Sequence, residues 1–414
     1  MNSIVKTNRM LKGQGLLSTT EITDIEGSER EEDTMNHTPQ DAVPQNDDEE
    51  KSGADRGGEA QREEAPSPLS LLPASRTGER KIEHVRLCLN EEVGGSGITT
   101  GFEHYRFRHN ALPELDFNDI SLNTVFLERQ LRTPFLISSM TGGSAATGAI
   151  NARLAEAAQR RGWALGVGSI RAAVERSELA PSFHMRDKAP DIPIIANIGA
   201  VQLSYGFGLE ECRRAVEIAG ADFLVLHLNG IQEVFQPEGN TGFAALLPQI
   251  ERVCRMLEVP VGIKEVGWGI DGETAARLYQ AGVSFIDVAG AGGTSWSQVE
   301  KFRNRDPIRR AAAEAFADWG IPTAECITEV RAVSPRGALI GSGGLKHGVD
   351  AAKALALGAD LAGFGRSLLG PAVESEEALD QALAQVELEL RTAMFGIGVA
   401  DLRGLRGTSR LIRR

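Results

Sequence analysis

The amino-acid sequence predicts a closed (β/α)8 barrel, the TIM-barrel fold. Eight short apolar runs alternate with amphipathic segments, and several of those segments end in glycine. Regular alternation of strand and helix implies a parallel sheet with right-handed crossovers. Eight such units are the number that closes a barrel. An open, doubly wound sheet is the second choice.

The eight apolar runs are rich in Val, Ile, Leu and Ala, which is typical of parallel strands buried on both faces. They cover residues 134–141, 164–169, 194–199, 223–229, 261–267, 285–290, 338–344 and 361–366.

The segments between the runs show helical periodicity. In residues 149–161, for example, Ile150, Leu154, Ala157 and Ala158 share one face. The other predicted helices cover residues 209–219, 243–257, 273–281, 309–319 and 349–357. Glycine suits the left-handed position that ends a helix. The predicted caps are Gly162, Gly220, Gly282, Gly320 and Gly358.

Residues 1–75 differ in composition from the rest of the chain. They hold 16 acidic and 7 basic residues, so they carry −9 of the formal net charge of −13. Such a segment buries too little apolar surface to offset its chain entropy. We therefore predict a disordered acidic tail at 1–75 and one barrel domain at 76–414. A partner-binding arm, or translation that begins at Met35, is the alternative for the tail.

Composition also excludes several classes of function. The remaining charge of −4 offers no basic face for nucleic acid. The four cysteines form no CxxC pair, which argues against a zinc site or a disulfide framework and indicates a reducing cytosol. No run approaches the ~18 apolar residues of a membrane span, and the N-terminus lacks a secretory pattern. We expect a cytoplasmic enzyme without a membrane or nucleic-acid partner.

Polar residues and glycines collect where the predicted strands end, which is where TIM barrels carry their active sites. They fall at 139–143, 168–169, 197, 227–233, 264–265, 290–294, 342–344 and 365–366.

The ends of strands seven and eight predict a phosphate site. Gly343 and Gly344 would let backbone N–H groups approach an anion closely, and the helix that follows offers its positive N-terminal end. Arg366 lies after strand eight. Tight βα turns are the other explanation of the glycine pair.

Lys264 lies within a buried strand pattern, so its ammonium must be paired or must serve a ligand. It could act as a counter-ion or form a Schiff base, or pair with a barrel carboxylate.

The end of strand four carries the densest polar group. His227 and Asn229 alternate and share one face, with Gln232 and Glu233 just beyond. A carboxylate such as Glu233 can hold a hard cation that also binds substrate phosphates. Helix capping or a surface ion pair is the alternative for Glu233, and a hydrogen-bonded core histidine is the alternative for His227.

Together these residues resemble the type 2, FMN-dependent isopentenyl-diphosphate isomerase family. The resemblance covers roughly residues 76–412. The matching segments are 80–84, 139–143, 166–169, 227–229, 232–233, 236–239, 264–267, 290–294, 342–344 and 394–395.

The resemblance implies that reduced FMN serves as the acid/base cofactor in converting isopentenyl diphosphate to dimethylallyl diphosphate. The residues that would bind FMN are Met140, Thr141, Gly142, Ser169, Asn197, Lys264, Ala289 and Thr294, with Gly343, Gly344, Leu345, Gly365 and Arg366 around its phosphate.

The resemblance also implies the substrate site. Arg80 and Lys81 would bind the diphosphate with help from His227 and Asn229, and Gln232 would face the reacting carbons. Glu233 would hold Mg²⁺ on the diphosphate. NADPH would reduce the flavin, and the chain would assemble as a homo-tetramer or homo-octamer. One departure is Gly230, where the family usually has proline.

Three other functions stay open at this point. A 2-hydroxy-acid oxidase would share the phosphate site, but it needs a histidine base and arginines near the late strands, and His347 lies beyond the glycine pair. An aldolase would use Lys264 as a Schiff base. A flavin-binding protein without catalysis would not need Gln232 and Glu233.

Overall fold

Eight parallel strands close into a barrel, as the eight apolar runs predict. The computed structural model describes residues 76–414, so the predicted disordered tail lies outside the described residues. Each barrel strand pairs with the next along the chain, and the eighth pairs with the first. The barrel strands are β4 (Phe135–Ile137), β5 (Ala164–Gly166), β6 (Ile194–Gly199), β7 (Phe223–His227), β8 (Val261–Lys264), β9 (Phe285–Asp287), β10 (Ala338–Ser342) and β11 (Leu361–Phe364).

Four short strands lie outside the barrel in two antiparallel pairs. They are β1 (Tyr105–Phe107) with β12 (Leu411–Arg413), and β2 (Thr124–Phe126) with β3 (Arg129–Leu131).

Helices follow the barrel strands and pack around them. They are α1 (Arg76–Asn90), α2 (Ala145–Arg161), α3 (Arg171–Glu175), α4 (Leu209–Ala219), α5 (Gly230–Phe235), α6 (Leu246–Met256), α7 (Gly272–Gln280), α8 (Trp296–Arg303), α9 (Pro307–Glu314), α10 (Thr323–Val333), α11 (Gly348–Leu357), α12 (Arg366–Glu374), α13 (Glu376–Ile397) and α14 (Leu402–Leu405). Across residues 76–414, none of them is both long and apolar enough to cross a membrane.

Local chemistry explains where these helices begin and end. Ser144 and Thr147 form a capping box at the start of α2, which satisfies N–H groups that have no partner within the helix. Gly162 ends α2 at φ 74°, and Gly220 ends α4 at φ 59°, both in the left-handed region that glycine adopts without steric cost. These two predicted caps are confirmed.

The helix predicted at 309–319 is wrong in its extent and in its role. The helix there, α9, ends at Glu314, and Ala313 is its buried residue. The crossover between β9 and β10 is instead α10, which buries Ala324, Cys326, Ile327 and Val330 at helical spacing. The alanine-rich sequence of α9 has helical periodicity, but only Ala313 of this helix is buried, so the periodicity does not mark a core-facing side.

Gly320 is therefore not a helix cap. Its φ is 133°, and a Cβ there would lie 2.9 Å from the Cβ of Ala291 and 3.2 Å from the backbone of Trp268. Glycine is needed at this position because the chain passes close to two neighbouring loops.

A plug of aromatic rings fills the N-terminal end of the barrel. The β2–β3 hairpin inserts Phe126, whose ring meets Phe223 at 6.2 Å and Phe285 at 5.7 Å in edge-to-face geometry. Gly262 makes room for this plug, because a Cβ there would lie 2.2 Å from the Phe285 ring. The opposite, C-terminal end is left for polar groups.

Candidate active site

A cavity of about 1180 Å³ opens among the C-terminal ends of the barrel strands and the loops that follow them. Of the site residues predicted from the sequence, all but Gly142 line this cavity. Gly142 lies behind the wall, where a Cβ would be 2.2 Å from the ring of Phe183. The strands therefore bring the predicted residues together from positions that span most of the barrel domain.

A layer of polar side chains crosses the top of the barrel. Asn197, Lys264, Asp287 and Ser342 are each less than 9% exposed. His227 pairs in register with Lys264, and Lys264 pairs with Asp287. The hydroxyl of Ser342 donates to Asp287 at 2.5 Å. These side chains lie on the inward face of the strands, two residues above the aromatic plug.

Lys264 is buried, and its ammonium donates to the carbonyl oxygen of Glu265. Burial lowers its pKa, while the charges of Asp287 and Glu265 oppose that shift. The carboxylate of Glu265 accepts backbone N–H groups from Val266, Gly267 and Trp268 at 2.6–2.8 Å. The loop after β8 is thereby fixed around Lys264.

His227 is held as a neutral imidazole. Its Nδ1 lies 2.7 Å from the amide oxygen of Asn197, which can only accept, so Nδ1 carries the proton and Nε2 is an acceptor. Burial, with the charges of Lys264 and Lys81, lowers its pKa to about 3. His227 therefore stays uncharged across the physiological pH range.

Helix α1 brings two basic residues to the cavity. Lys81 donates from Nζ to the carbonyl oxygen of Ser169 at 2.8 Å, and its ammonium lies 4.9 Å from the centre of the Phe183 ring. Burial, and then the charge of Arg80, lower the pKa of Lys81 to about 7. Arg80 binds Glu238 at 3.1 Å, and its buried Nε has no hydrogen-bond partner among residues 76–414. An anion that binds here would stabilise the charged form of Lys81 and would offer Arg80 Nε an acceptor.

The polar group after β7 forms a connected network. The Asn229 amide donates to Gln232 Oε1 at 3.2 Å and to Glu233 Oε1 at 2.8 Å. Glu233 Oε2 also accepts the backbone N–H of Asn240 at 2.5 Å. Gln232 and Glu233 are each 8% exposed on α5. Gln232 and Glu233 are therefore presented to the cavity in fixed orientations.

Glu300 is a site residue that the sequence analysis missed. Its side chain is 0% exposed, and Oε1 accepts from Gln232 Nε2 and from His84 Nε2, each at 3.2 Å. Burial alone would raise the pKa of Glu300. The hydrogen bond and charge of His84, the charge of Arg303 and the hydrogen bond from Gln232 outweigh it and hold the pKa below the ordinary carboxyl value. Glu300 is therefore an ionised acceptor beside Gln232.

Two further cavity residues, Arg171 and His84, were given no individual role from the sequence. Arg171 lines the cavity, where its NH1 donates to Asn240 Oδ1 at 3.0 Å. His84 packs edge-to-face on Trp296, with ring centres 5.1 Å apart. Arg171 follows Ser169 by two residues, and His84 lies one helical turn after Arg80. Those two spacings were the available signals.

The loops after β9 and β10 pack glycine against glycine. A Cβ on Gly293 would lie 2.6 Å from the backbone nitrogen of Gly344, and one on Gly343 would lie 2.2 Å from the carbonyl oxygen of Gly290. Helix α12 begins after Gly365 with no side-chain cap, so its first N–H groups are open to an anion. This arrangement has the donor chemistry of a phosphate cradle.

Arg366 lines the cavity, and its guanidinium also contacts α1. Its Nε donates to the carbonyl oxygen of Cys88 at 2.9 Å, and NH2 donates to that of Glu91 at 3.2 Å. These carbonyls lie at the C-terminal end of α1, where cations are favourable. Arg366 therefore anchors α1, and its place around a phosphate stays a prediction.

Four buried polar atoms of cavity-lining residues have no hydrogen-bond partner within the described residues. They are Arg80 Nε, Ser138 Oγ, Thr141 Oγ1 and Asn229 Oδ1. A buried polar atom without a hydrogen bond is unfavourable by about 1–3 kcal/mol. Such atoms at a cavity wall are expected where a ligand completes the hydrogen bonding.

Solved structures with the same fold are named as a lactate oxidase and a mandelate dehydrogenase. A lactate oxidase from Pediococcus acidilactici superposes with a TM-score of 0.57 at 18% identity, covering 81% of this chain and 90% of that one. A soluble mutant of (S)-mandelate dehydrogenase from Pseudomonas putida superposes with a TM-score of 0.56 at 17% identity, covering 81% and 99%. At these identities the likeness shows the fold alone.

Sequence comparison is more specific. Residues 231–413 match the family described as FMN-dependent dehydrogenase. An isopentenyl-diphosphate delta-isomerase from Oceanobacillus iheyensis is 56% identical over 333 residues, which is 80% of this chain and 95% of that protein. The isopentenyl-diphosphate delta-isomerase from Nostoc sp. is 49% identical over 84% of this chain and 99% of its own length. The chain belongs to the isopentenyl-diphosphate delta-isomerase family.

Proposed function

We propose that this chain isomerises isopentenyl diphosphate to dimethylallyl diphosphate with reduced FMN, in the cytoplasm. One observation carries the proposal most directly: the Gln232 carboxamide is held between Asn229 and an ionised Glu300, in a cavity that also contains Arg80 and Lys81. A fixed polar group for the reacting carbons and a basic group for the diphosphate share one chamber.

The cavity fits FMN on three counts. Ser138 Oγ and Thr141 Oγ1 are buried and lack hydrogen-bond partners in the described part of the chain, the glycine loops leave backbone N–H groups accessible, and α12 begins without a side-chain cap. Reduced FMN, when bound, supplies an electron-rich ring that can accept and return a proton near N5.

The cofactor contacts proposed here follow the predicted set. Thr141, Ser169, Asn197 and Lys264 would hold the ring system, with Met140, Ala289 and Thr294 beside them. Gly343, Gly344, Leu345, Gly365 and Arg366 would hold the phosphate. All of them line the cavity.

The diphosphate of the substrate would bind Arg80, Lys81 and Arg171. Lys81 has a pKa of about 7 in these surroundings, so an arriving diphosphate would draw it fully into its charged form. The neutral His227 would offer its ring to the same end of the substrate without adding a competing charge. Positive charge is thereby kept at the diphosphate and away from the reacting carbons.

Glu233 would hold Mg²⁺ on the diphosphate. Its two oxygens are oriented by Asn229 and by the backbone of Asn240. Among residues 76–414, no cluster of three or more His, Cys, Asp or Glu side chains is placed to hold a metal. One carboxylate fits a Mg²⁺ that keeps several waters and binds together with substrate phosphates.

Moving the double bond requires one proton to be added at the terminal alkene carbon and another to be removed from the carbon two positions away, on the other side of the branched carbon. Gln232 would face these carbons, with its amide orientation fixed by a donor on one side and an acceptor on the other. Trp296 and His84 form the adjoining wall and exclude water. The protein therefore contributes position, charge and a dry pocket. NADPH would reduce the flavin, and a homo-tetramer or homo-octamer is the proposed assembly.

The contacts of His347 do not favour the 2-hydroxy-acid oxidase alternative. Its imidazole is 56% exposed and pairs with Asp350 at 2.8 Å, at the start of α11. That pairing is typical of a helix terminus. A base that takes a proton from a bound hydroxy acid has to face the substrate within the cavity.

The test is turnover of isopentenyl diphosphate by the purified protein with FMN, Mg²⁺ and NADPH under anaerobic conditions. We expect dimethylallyl diphosphate only when FMN is present. Lactate and glycolate serve as parallel substrates. If they reduce the bound flavin while isopentenyl diphosphate is left unchanged, the proposal is wrong and the oxidase reading replaces it.

A further inference from the structure

Arg303 lies partly buried at the end of α8 and contacts three carboxylates at once. Its side chain is 9% exposed. NH1 binds Glu300 Oε2 at 2.5 Å, Nε binds Glu83 at 3.0 Å, and NH2 approaches Glu238 at 3.5 Å. Each edge of the guanidinium fork is used, which a lysine ammonium could not reproduce.

These contacts connect Arg303 to the reacting end of the cavity. Arg303 occupies the far oxygen of Glu300, so the near oxygen faces Gln232 Nε2 and His84 Nε2. Gln232 Oε1 is in turn bound by Asn229. The orientation of the Gln232 amide therefore depends on where Glu300 points and on whether it is ionised.

A second branch leads to the diphosphate end. Glu238, which Arg303 approaches from one side, also binds Arg80 at 3.1 Å. Glu83 ties Arg303 to the same helix that carries Arg80 and His84. Arg303 thus links α8 to α1 and to the segment after α5.

We propose that Arg303, which does not line the cavity, is a positioning residue that fixes the Gln232 carboxamide through Glu300. This inference rests on the proposed isomerase function and adds a residue to it. The charged and titratable groups that face Glu300 are His84 from α1 and Arg303 from its own helix, with Arg80, Glu83 and Glu238 in the next layer.

Loss of the Arg303 charge has two consequences. Glu300 becomes free to rotate, so Gln232 loses its fixed acceptor and can flip. The pKa of Glu300 also rises, because an opposing charge in direct contact is removed. Activity that needs ionised Glu300 is lost as the pH falls through that pKa, so the acid side of the pH profile moves to higher pH.

The experiment compares Arg303→Gln, Arg303→Lys and the control Arg305→Gln, all as full chains loaded with FMN. Arg305 is exposed two residues further along, so its change tests the loss of a surface charge at the same place. We expect Arg303→Gln to lower kcat by about 10- to 100-fold, since small misplacement of a reacting group has effects of this size. FMN affinity and the flavin absorbance spectrum should match those of the wild-type protein.

The pH profile separates a positioning role from a merely structural one. We expect the fall of kcat on the acid side of the profile to occur about one pH unit or more higher in Arg303→Gln than in the wild-type protein. Arg303→Lys should have kcat and an acid-side pKa between those of Arg303→Gln and the wild-type protein. In the double variant with Glu300→Gln, removing Arg303 should have little further effect, because the two residues act as one unit.

The inference is overturned if the wild-type protein is active and Arg303→Gln has the kcat and acid limb of Arg305→Gln. It is also overturned if Arg303→Gln loses both kcat and thermal stability while the acid-side pH dependence of kcat is unchanged. In that case both Arg303→Gln and Arg303→Lys would have the acid-side pKa of the wild-type protein. An inactive wild-type protein would instead contradict the proposed function, so the two failures are distinguishable.

Discussion

The two ends of the barrel are built from the same strands but bury different chemistry. At the N-terminal end, Phe126, Phe223 and Phe285 pack ring against ring. At the C-terminal end, two residues further along the inward faces, the same strands carry charged and amide side chains. At this C-terminal end, Ser138 Oγ and Thr141 Oγ1 are buried without a hydrogen-bond partner among the described residues. One end is complete by itself, and the other is left incomplete at a cost in stability.

Left-handed backbone conformations at residues other than glycine occur near both ends, at Leu127 and Glu128 in the β2–β3 turn and at Ala289 on the cavity wall. Ala289, which lines the cavity after β9, has φ 38°, a left-handed conformation that is unfavourable for a residue with a Cβ. Lowered pKa values of Lys81 and His227 also occur at this end. Perturbed ionisation and strain together are typical of functional sites. The comparison predicts that changes at the cavity end alter activity, while changes at the plug alter stability.

Gln232→Ala should have the largest effect on activity. The side chain would no longer face the reacting carbons, and we expect kcat to fall roughly 10²-fold or more, since misplacement at a reacting centre has effects of this size. FMN affinity should not change, since Gln232 is not among the residues proposed to hold FMN. Steady-state kinetics and a flavin titration check this. Near-normal turnover would remove Gln232 from the proposed role.

Phe126→Ala tests the other end. The ring is 2% exposed and fills the space between Phe223 and Phe285, so its removal should lower the free energy of unfolding by about 3–5 kcal/mol. Urea unfolding measures this loss. The kcat of the folded fraction should match the wild-type value. A comparable loss of kcat would break the division between the two ends.

Glu233→Gln should weaken the metal site while the fold is kept. Without the carboxylate charge, the concentration of Mg²⁺ needed for half-maximal activity and the KM for the diphosphate should each rise by about 10- to 100-fold. A Mg²⁺ titration at fixed substrate gives the answer. Unchanged Mg²⁺ dependence would point to a metal held by the substrate alone.

Lys81→Arg addresses the pH dependence of diphosphate capture. The charged form of Lys81 exists below its pKa of about 7, so kcat/KM should fall about tenfold per pH unit as the pH rises above that value. An arginine stays charged throughout this range. The variant should therefore lose this limb, and a limb that persists at pH 7 would assign it to another group.

Gly230→Ala should have the smallest effect. Gly230 is the first residue of α5, and a Cβ there would lie an ordinary 3.7 Å from the Phe243 ring. Because alanine restricts the unfolded chain, we expect a gain of about 0.4–1 kcal/mol in the free energy of unfolding with kcat retained. Thermal unfolding and kinetics check both parts. A clear loss of kcat would mean that glycine at this position does more than begin a helix.

The strands were predictable because their signal is local. Runs such as 194–199 and 223–229 are apolar on both faces, and no other element explains so short a run repeated eight times. Once the strands are known, barrel geometry places Asn197, His227 and Lys264 together. That is why the sequence alone predicts that these strand-end side chains meet in one cavity.

Glu300 and α10 were missed for a different physical reason. Glu300 is on the short helix α8 and not at a strand end, and nothing in the local sequence marks its carboxylate as buried. Its role depends on three partners from α1, α5 and α8 that meet only in the folded chain. The alanine pattern at 309–319 was stronger than that of α10, although α10 packs on the barrel.

The β2–β3 hairpin also determines how ligands enter and leave. Within residues 76–414 it closes the N-terminal end of the barrel, so cofactor and substrate share the opening at the other end. The groups proposed for the cofactor belong to the barrel wall, whereas Arg80 and Lys81 come from α1, a helix outside the barrel that Arg366 anchors. With the contacts proposed above, we expect sequential loading: FMN would enter first, and the diphosphate would follow and leave at each turnover while the flavin stays bound.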